Sequence, residues 1–577
     1  MIGFYLKIRQ NANANVKIFS VPYESFTNLN FIEDQCLYIF ESEKAQVVQL
    51  NGYTLYNIGT LVYKNVWRKK ALEHIIHDLE NGEPIQSIMS DTSGQFCLIA
   101  HTINNVFVIT DKLASFPIFK YQDNNTIQLS NIFMLLVTQN KVTVNYQAIA
   151  EYLCFDYCFD RTFFNEIELL EIGTFYQFGP EQKSQVYHNY LTNVQFNKYR
   201  SLDVISKKAK EIMLQNFSFL SQDDQIFADI TGGFDTRMIV VMLKHMKLDF
   251  ATGICGEQNL HEADIAAQVA EKLGVKFYSK IKITDKDVFC NIVDKHFKIT
   301  SGVSILYHSS ELINYYDQIS QNFDIHVTGF AGSQLWGNFL PRLGFFSSRL
   351  KHASLLEKYF KFINIFHSKL VTENSYYENI KAKITQLFNK IGSDRHDEVA
   401  SFFTTSTFSK YYHGALLGTH NTIMPIYAPF LEANFAKIMI ETSFKIKDNR
   451  NIQRTLITEL NEELSLLMTS HGYNANIGSE RNLGEKNILQ NIVRGLIYDF
   501  DILLKFNRFL QRQMKSSVRL ADIQRSFWID EVKKQWSENM AIFQIIDPNK
   551  LKKHLPFDSH ASKLKAKIVY LNKIIDE

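Results

Sequence analysis

Two hydrophobic periods divide this chain. Up to about residue 190, short apolar runs broken by polar turns follow a period of two, as in Leu37–Phe40, Gln95–His101, Val106–Thr110, Pro117–Tyr121 and Thr126–Leu129. Such alternation predicts antiparallel strands with one buried face. Asn104-Asn105 and Asn124-Asn125 fall between runs and predict hairpin turns. Thr174–Phe178 predicts another strand, closed by Gly179-Pro180, while Ala71–Leu79 and Tyr146–Leu153 predict helices. After a polar stretch near Leu191–Leu202 the pattern changes. Helix Asp203–Phe217, strand Gln225–Ile230, helix Asp235–Lys247, strand Phe250–Ile254, helix Glu262–Leu273, strand Lys276–Ile283, helix Asp285–His296 and strand Asp324–Thr328 are predicted in that order. Strands alternating with helices of this length imply a parallel sheet with helices on both faces. Beyond about residue 350 the period is helical, for instance in Ser354–Phe366 and Asn487–Phe509.

Length and composition narrow the picture. A chain of 577 residues without internal repeats fits two large domains, with the expected division at 1–195 and 196–577 and the helical part at about 350–577. Lys+Arg 62 against Asp+Glu 60 leaves a net charge of +2, which argues against a nucleic-acid partner or a polybasic membrane anchor. With 46% hydrophobic residues, 24 Gly and 9 Pro, the chain reads as ordered and globular. The start, MIGFYLKIRQ, lacks a signal-peptide apolar region, and no run approaches the ~18 residues that span a bilayer. The expectation is a cytoplasmic protein with no membrane span. The six cysteines are dispersed; Cys154 and Cys158 alone are close, a poor zinc spacing, so buried reduced thiols are expected.

One segment points to chemistry. In Ile226-Phe-Ala-Asp-Ile-Thr-Gly-Gly-Phe-Asp-Thr-Arg237 an apolar strand runs into two glycines and a helix leaves near Asp235. Such a turn aims backbone N–H groups and the positive helix end at one point, which suits phosphate. Thr231 and Thr236 would add hydroxyls, and Asp235 would hold a Mg²⁺ bridging phosphate oxygens. Neither the P-loop nor the dinucleotide fingerprint is present. A strand–turn–helix that uses glycine for packing and Asp235 as a cap reads equally well from these residues.

Thr231-Gly-Gly-Phe-Asp-Thr236 resembles the S-G-G-x-D-S pyrophosphate loop of the asparagine-synthetase-like ATP pyrophosphatases. Glu262–Val275 resembles that family's helix leading into A-x-x-L-G, Val327–Gly337 its V-L-x-G-E-G-x-D-E-L-F-G segment, and Ala428-Pro-Phe-Leu-Glu432 its V-P-F-L-D. Asp91–Tyr121, Ala150–Tyr157 and Glu171–Phe175 are similar to stretches of the family's glutaminase domain, in family order. The resemblance implies an N-terminal-nucleophile-hydrolase-like antiparallel β domain, α+β in class. An α/β domain would follow, a Rossmann-like parallel-sheet ATP pyrophosphatase with a helical C-terminal extension.

By the same resemblance, the second domain would adenylate a carboxylate with ATP and Mg²⁺ and pass it to ammonia or an amine, releasing AMP and pyrophosphate. Thr231, Gly232, Gly233, Asp235, Thr236, Gly253, Ile254 and Gly329 would line the nucleotide, Asp235 would be the metal ligand, and Asp235 and Arg237 would be the catalytic pair. The carboxylate would be a peptide, amino acid or uronic-acid sugar, with a precursor peptide as one partner and a homodimer as one assembly. The family's glutaminases use a cysteine directly after the initiator methionine; this chain has Ile2 there and its first cysteine at Cys36, so no glutaminase activity is expected. The second motif departs further: Phe330, Ser333 and Gln334 stand where the family has acids. Asp324 or Glu311 would have to supply a missing carboxylate, and Arg450, Arg454, Arg481 or Lys486 the pyrophosphate-binding cation. A degenerate domain that keeps only nucleotide or partner binding is the alternative.

Overall fold

The computed structural model describes residues 2–9, 26–32, 35–40, 46–256, 261–281, 306–336 and 373–476, apart from a few positions within these spans, and short pieces near 285–296 and 571–575. The predicted helices Ser354–Phe366 and Asn487–Phe509 lie outside the described residues, as do Arg481 and Lys486.

The first part is built from two antiparallel sheets. One runs Ile167–Leu169, Phe119–Gln122, Thr126–Ser130, Gly3–Arg9, Gln35–Phe40, Phe26–Ile32. The other runs Lys183–Val186, Thr174–Phe178, Val106–Thr110, Ser93–His101, Tyr53–Tyr63, Gln46–Leu50, with Val66–Trp67 paired beside Tyr53–Tyr63. Apolar residues from both sheets, among them Phe4, Leu6, Ile58, Ile99, Val108 and Leu129, share one buried cluster. The helix Lys69–Glu80 covers the outer face of the second sheet through Ala71, Leu72, Ile75 and Ile76. The second sheet is therefore buried on both faces, with all of Gly94–Ala100 buried, where period-two alternation predicts a single buried face.

The second part is parallel. Numbered within it, the elements are α1 (Leu202–Phe217), β1 (Ile226–Asp229), α2 (Phe234–His245), β2 (Phe250–Gly256), α3 (His261–Leu273), β3 (Lys276–Ile281), α4 (Leu306–Ile319), β4 (Ile325–Val327), α5 (Gly414–Asn421), β5 (Ile426–Tyr427) and α6 (Asn451–Leu460). The strand order is β3-β2-β1-β4-β5, all parallel. From β1 the chain moves outward through β2 to β3; from β4 it moves the other way to β5. The sheet therefore reverses its winding between β1 and β4, and at such a switch point the loops diverge to leave a crevice beyond the strand C-termini. Of α2, Phe234 and all of Thr236–Leu243 are buried, the pattern of a helix enclosed on all sides.

The two parts are joined tightly. The Gln95 amide donates to Ala428 O (3.3 Å) and accepts from Ala428 N (2.7 Å), so it pairs with that backbone as a strand would. Glu432 accepts from Gly94 N at 2.8 Å, Thr60 donates to Ile426 O at 2.9 Å, and Ile2 N donates to Thr422 O. Val62 and Trp67 belong to the same buried cluster as α1, α2 and β1. Among the described residues no helix is long and apolar enough to cross a membrane.

Candidate functional site

The Thr231-Gly-Gly loop leaves β1 at the switch point, and the Gly329–Ser333 loop leaves β4 beside it. Gly233 is the N-cap of α2 and offers no side-chain cap. The first-turn N–H groups thus keep the orphan donors and positive potential of a helix end. The two threonines close the loop on itself: Thr231 N donates to Thr236 Oγ1 at 2.9 Å, the hydroxyls lie 3.0 Å apart, and Gly233 N donates to Thr231 Oγ1 at 3.2 Å. They shape the turn. Gly232 is pressed from above: Ser470 N donates to its carbonyl at 2.8 Å, and a Cβ on Gly232 would stand 2.7 Å from Ser470 Cβ.

Asp235, in the first turn of α2, is the hub. Its Oδ1 accepts from Gln453 Nε2 at 2.7 Å and Arg450 Nη1 at 3.1 Å, and its Oδ2 accepts from Ser333 Oγ at 2.7 Å. Arg450 is nearly buried, and Asp235 keeps 18% side-chain exposure. Gly329 and Gly332 bring the second loop onto this carboxylate; a Cβ on Gly332 would lie 2.6 Å from Asp235 Cγ. The structure thus brings together Thr231, Gly232, Gly233, Asp235, Thr236, Gly329 and, of the candidate cations, Arg450.

Other expected residues go elsewhere. Arg237 is fully buried, and its guanidinium donates to the carbonyls of Leu464 (3.4 Å), Leu467 (2.6 Å) and Met468 (2.9 Å). Burial pushes it down to about 10, so it stays charged at neutral pH. The expectation of a catalytic Arg237 is corrected: at that depth it ties Leu464–Met468 to α2. Gly253 and Ile254 lie within β2. A Cβ on Gly253 would stand 2.3 Å from Tyr315 Oη and 2.4 Å from Tyr278 O, and Ile254 is buried. Asp324 precedes β4, at the opposite strand end from the loop, where it binds Gln225 N (3.0 Å) and Arg68 (2.9 Å). It cannot stand in for the lost acid. Arg454 is buried, with its guanidinium 5.5 Å from the Tyr473 ring.

Sequence reasoning missed a second acid. Asp229 ends β1, and across the switch point its Oδ2 accepts from Thr328 Oγ1 at 2.9 Å and Tyr316 Oη at 3.4 Å. His326 Nε2 lies 2.9 Å from the same oxygen, though not aligned as a hydrogen bond. Behind this group Tyr316 packs on His420 (4.8 Å between ring centroids), and His420 stacks on Phe330 (5.7 Å). Phe330 also meets His413, the last residue of the π-helical segment Thr404–His413 that leads into α5. Burial drives His413 and His420 down to about 3, with His326 adding to the effect on His420; both are neutral at physiological pH. The available signal was an acid inside an apolar strand, Ile226-Phe-Ala-Asp-Ile230.

The residues at Asp235 do not fit Mg²⁺. Both carboxylate oxygens already have donors, one of them a guanidinium, and Ser333 is a neutral neighbour. Among the described residues no cluster of three His, Cys, Asp or Glu side chains is arranged to hold a metal ion.

No family profile matches the chain, and no curated protein matches it. Solved structures it is similar to include glutamine phosphoribosylpyrophosphate amidotransferase from B. subtilis, complexed with ADP and GMP. The identity is 11%, with 44% of this chain and 54% of that one covered and a TM-score of 0.17. Another is described as the allosteric regulatory enzyme of purine biosynthesis, at 10% identity, 48% and 59% coverage and a TM-score of 0.19. The chain spans a little over half the length of each. Likeness at this level carries no weight for fold or activity.

Proposed function

We propose that the second part of the chain is a nucleotide-dependent amide ligase, which activates a carboxylate with ATP and passes it to ammonia or a substrate amine. The observation that carries this reading is the uncapped N-terminus of α2 at the β1/β4 switch point, reached by the Thr231-Gly-Gly turn. The orphan N–H groups there would hold the phosphates, and the loops after β1 and β4 would position the carboxylate for attack on the α-phosphorus, with pyrophosphate leaving as the acyl adenylate forms. The amine then displaces AMP from the acyl adenylate. The site must accept a proton as the amide forms, and Phe330 cannot take it. Asp229, at the same strand ends and held by Thr328 and Tyr316, is the carboxylate best placed for that role.

Ammonia from glutamine is not part of the reading. The strand Gly3–Arg9 carries no cysteine, serine or threonine, Ile2 before it is buried, and the Ile2 N–H donates to Thr422 O. A second reading, a domain that no longer turns over nucleotide, is favoured by Ser470 pressed onto Gly232 and by the donors already occupying Asp235. ATP–pyrophosphate exchange separates the two readings, using amino acids, peptides and uronic-acid sugars as carboxylates. Exchange with any of them, abolished by Asp235→Ala, supports the ligase; no exchange across the set supports the second reading.

A further inference from the structure

We propose that the Arg450 guanidinium is the resident cation of this site, so that no divalent metal is held at Asp235. Arg450 Nη1 lies 3.1 Å from Asp235 Oδ1 and Nη2 lies 3.5 Å from Ser333 Oγ. One rigid, permanently charged fork therefore spans the two side chains that a bridging metal would use. Gln453 and Ser333 take two further positions on Asp235, one on each oxygen. On the side of Gly332 space is closed as well. Gly332 lies so near the carboxylate that even a Cβ would reach 2.6 Å from Asp235 Cγ, where an octahedral Mg²⁺ would need room for several waters.

The backbone supports the assignment. Arg450 sits in the left-handed region (φ 58°) as the N-cap of α6, and its guanidinium lies 5.6 Å from the Phe234 ring centroid. A non-glycine residue adopts that conformation only where its surroundings hold it. Charge balance points the same way. With serine at 333, Asp235 and Arg450 cancel; with an acid at 333, the pair would carry a net negative charge and attract a cation. The ligand this site takes is an oxyanion, read as a nucleotide phosphate by the α2 N–H groups, and its binding does not require a divalent ion at Asp235. The inference rests on the reading of the loop as a phosphate site, while its test does not need the ligase reaction.

The probe is Mn²⁺ alone, added to the full chain and followed by the electron paramagnetic resonance signal of the free ion. Wild type and Asp235→Asn are expected to give superimposable titrations through the millimolar range. The double variant Arg450→Met/Ser333→Asp is expected to take up one further equivalent, at least about ten-fold more tightly than wild type. Uptake by wild type of an equivalent that Asp235→Asn loses would overturn the proposal. So would failure of the double variant to gain Mn²⁺ while its near-ultraviolet circular dichroism remains native. If the double variant does not fold, the wild-type and Asp235→Asn pair decides alone. ATP binding in EDTA, measured in parallel, reports on the nucleotide reading separately; its absence leaves the Mn²⁺ result standing.

Discussion

The seam between the two parts and the loop of the second part each depend on an acid, fully buried at the seam and half-buried at the loop. At the loop, Asp235 faces a guanidinium, an amide and a hydroxyl, all donors. At the seam, Glu432 is 4% exposed and accepts from Gly94 N, and the nearest cation, Lys112, gives its ammonium to the carbonyls of Ser90 and Thr92. Burial outweighs those weaker attractions and pushes Glu432 up to about 7. At Glu432 burial outweighs the Gly94, Tyr427 and Gln95 donors, whereas Asp235 keeps partial exposure and meets a guanidinium. The same contrast holds for the cations. Arg450 is matched by a carboxylate, whereas Arg237, from the same helix as Asp235, is matched only by carbonyl dipoles.

The largest expected effect tests that second contrast. Arg237→Met should cost about 3 kcal/mol in urea unfolding, because the carbonyls of Leu464, Leu467 and Met468 lose the donor that ties them to α2. In the surviving folded protein, exchange should keep the wild-type KM for ATP; a rise of ten-fold or more would return Arg237 to the phosphate site.

The acid at the seam gives the next effect. Glu432 in the folded chain titrates near 7 against an ordinary value of 4.5. Between those values the unfolded chain has lost the proton while the folded chain keeps it, so stability falls as pH rises through that window. The loss is about 3 kcal/mol at roughly 1.4 kcal/mol per unit. Glu432→Gln keeps the acceptor for Gly94 and has no proton to lose. Urea unfolding at pH 5 and pH 8 should show the wild type losing about 3 kcal/mol more than this variant. Equal pH dependence in the two proteins would mean that Glu432 is ionised at the seam.

The smallest effect tests the loop. Thr236→Val removes the acceptor for Thr231 N and the hydroxyl contact, and should cost about 1 kcal/mol in thermal unfolding. If the threonines shape the turn, Thr236→Ser should recover that loss. A Ser variant as unstable as Val would point to packing by the methyl group.

Much of the architecture was legible in local pattern. Strands such as Ser93–His101 and Val106–Thr110 were legible as short apolar runs between turns, although nearly every residue in them is buried, on both faces. The strand, two glycines and a helix at Ile226–His245 were legible too: bend and close approach both need glycine. Arg237 was misread because a charge in the first turn of a helix suggests a ligand. The approach of Leu464–Met468, more than two hundred residues later, was not visible. Asp324 was misread because sequence proximity to a motif does not say which end of a strand a side chain occupies.

The sequence alone determined which segments form strands and helices, and that a two-glycine turn ends β1, because these depend on the period and size of neighbouring side chains. Only the tertiary structure decided what Asp235 and Asp229 meet. Arg450 and Gln453 reach Asp235 across 215 and 218 residues, and Tyr316 and Thr328 reach Asp229 across 87 and 99. The charge a carboxylate carries, and whether it faces a metal, a proton or a guanidinium, is set by groups within a few ångströms, and chain closure chooses those groups.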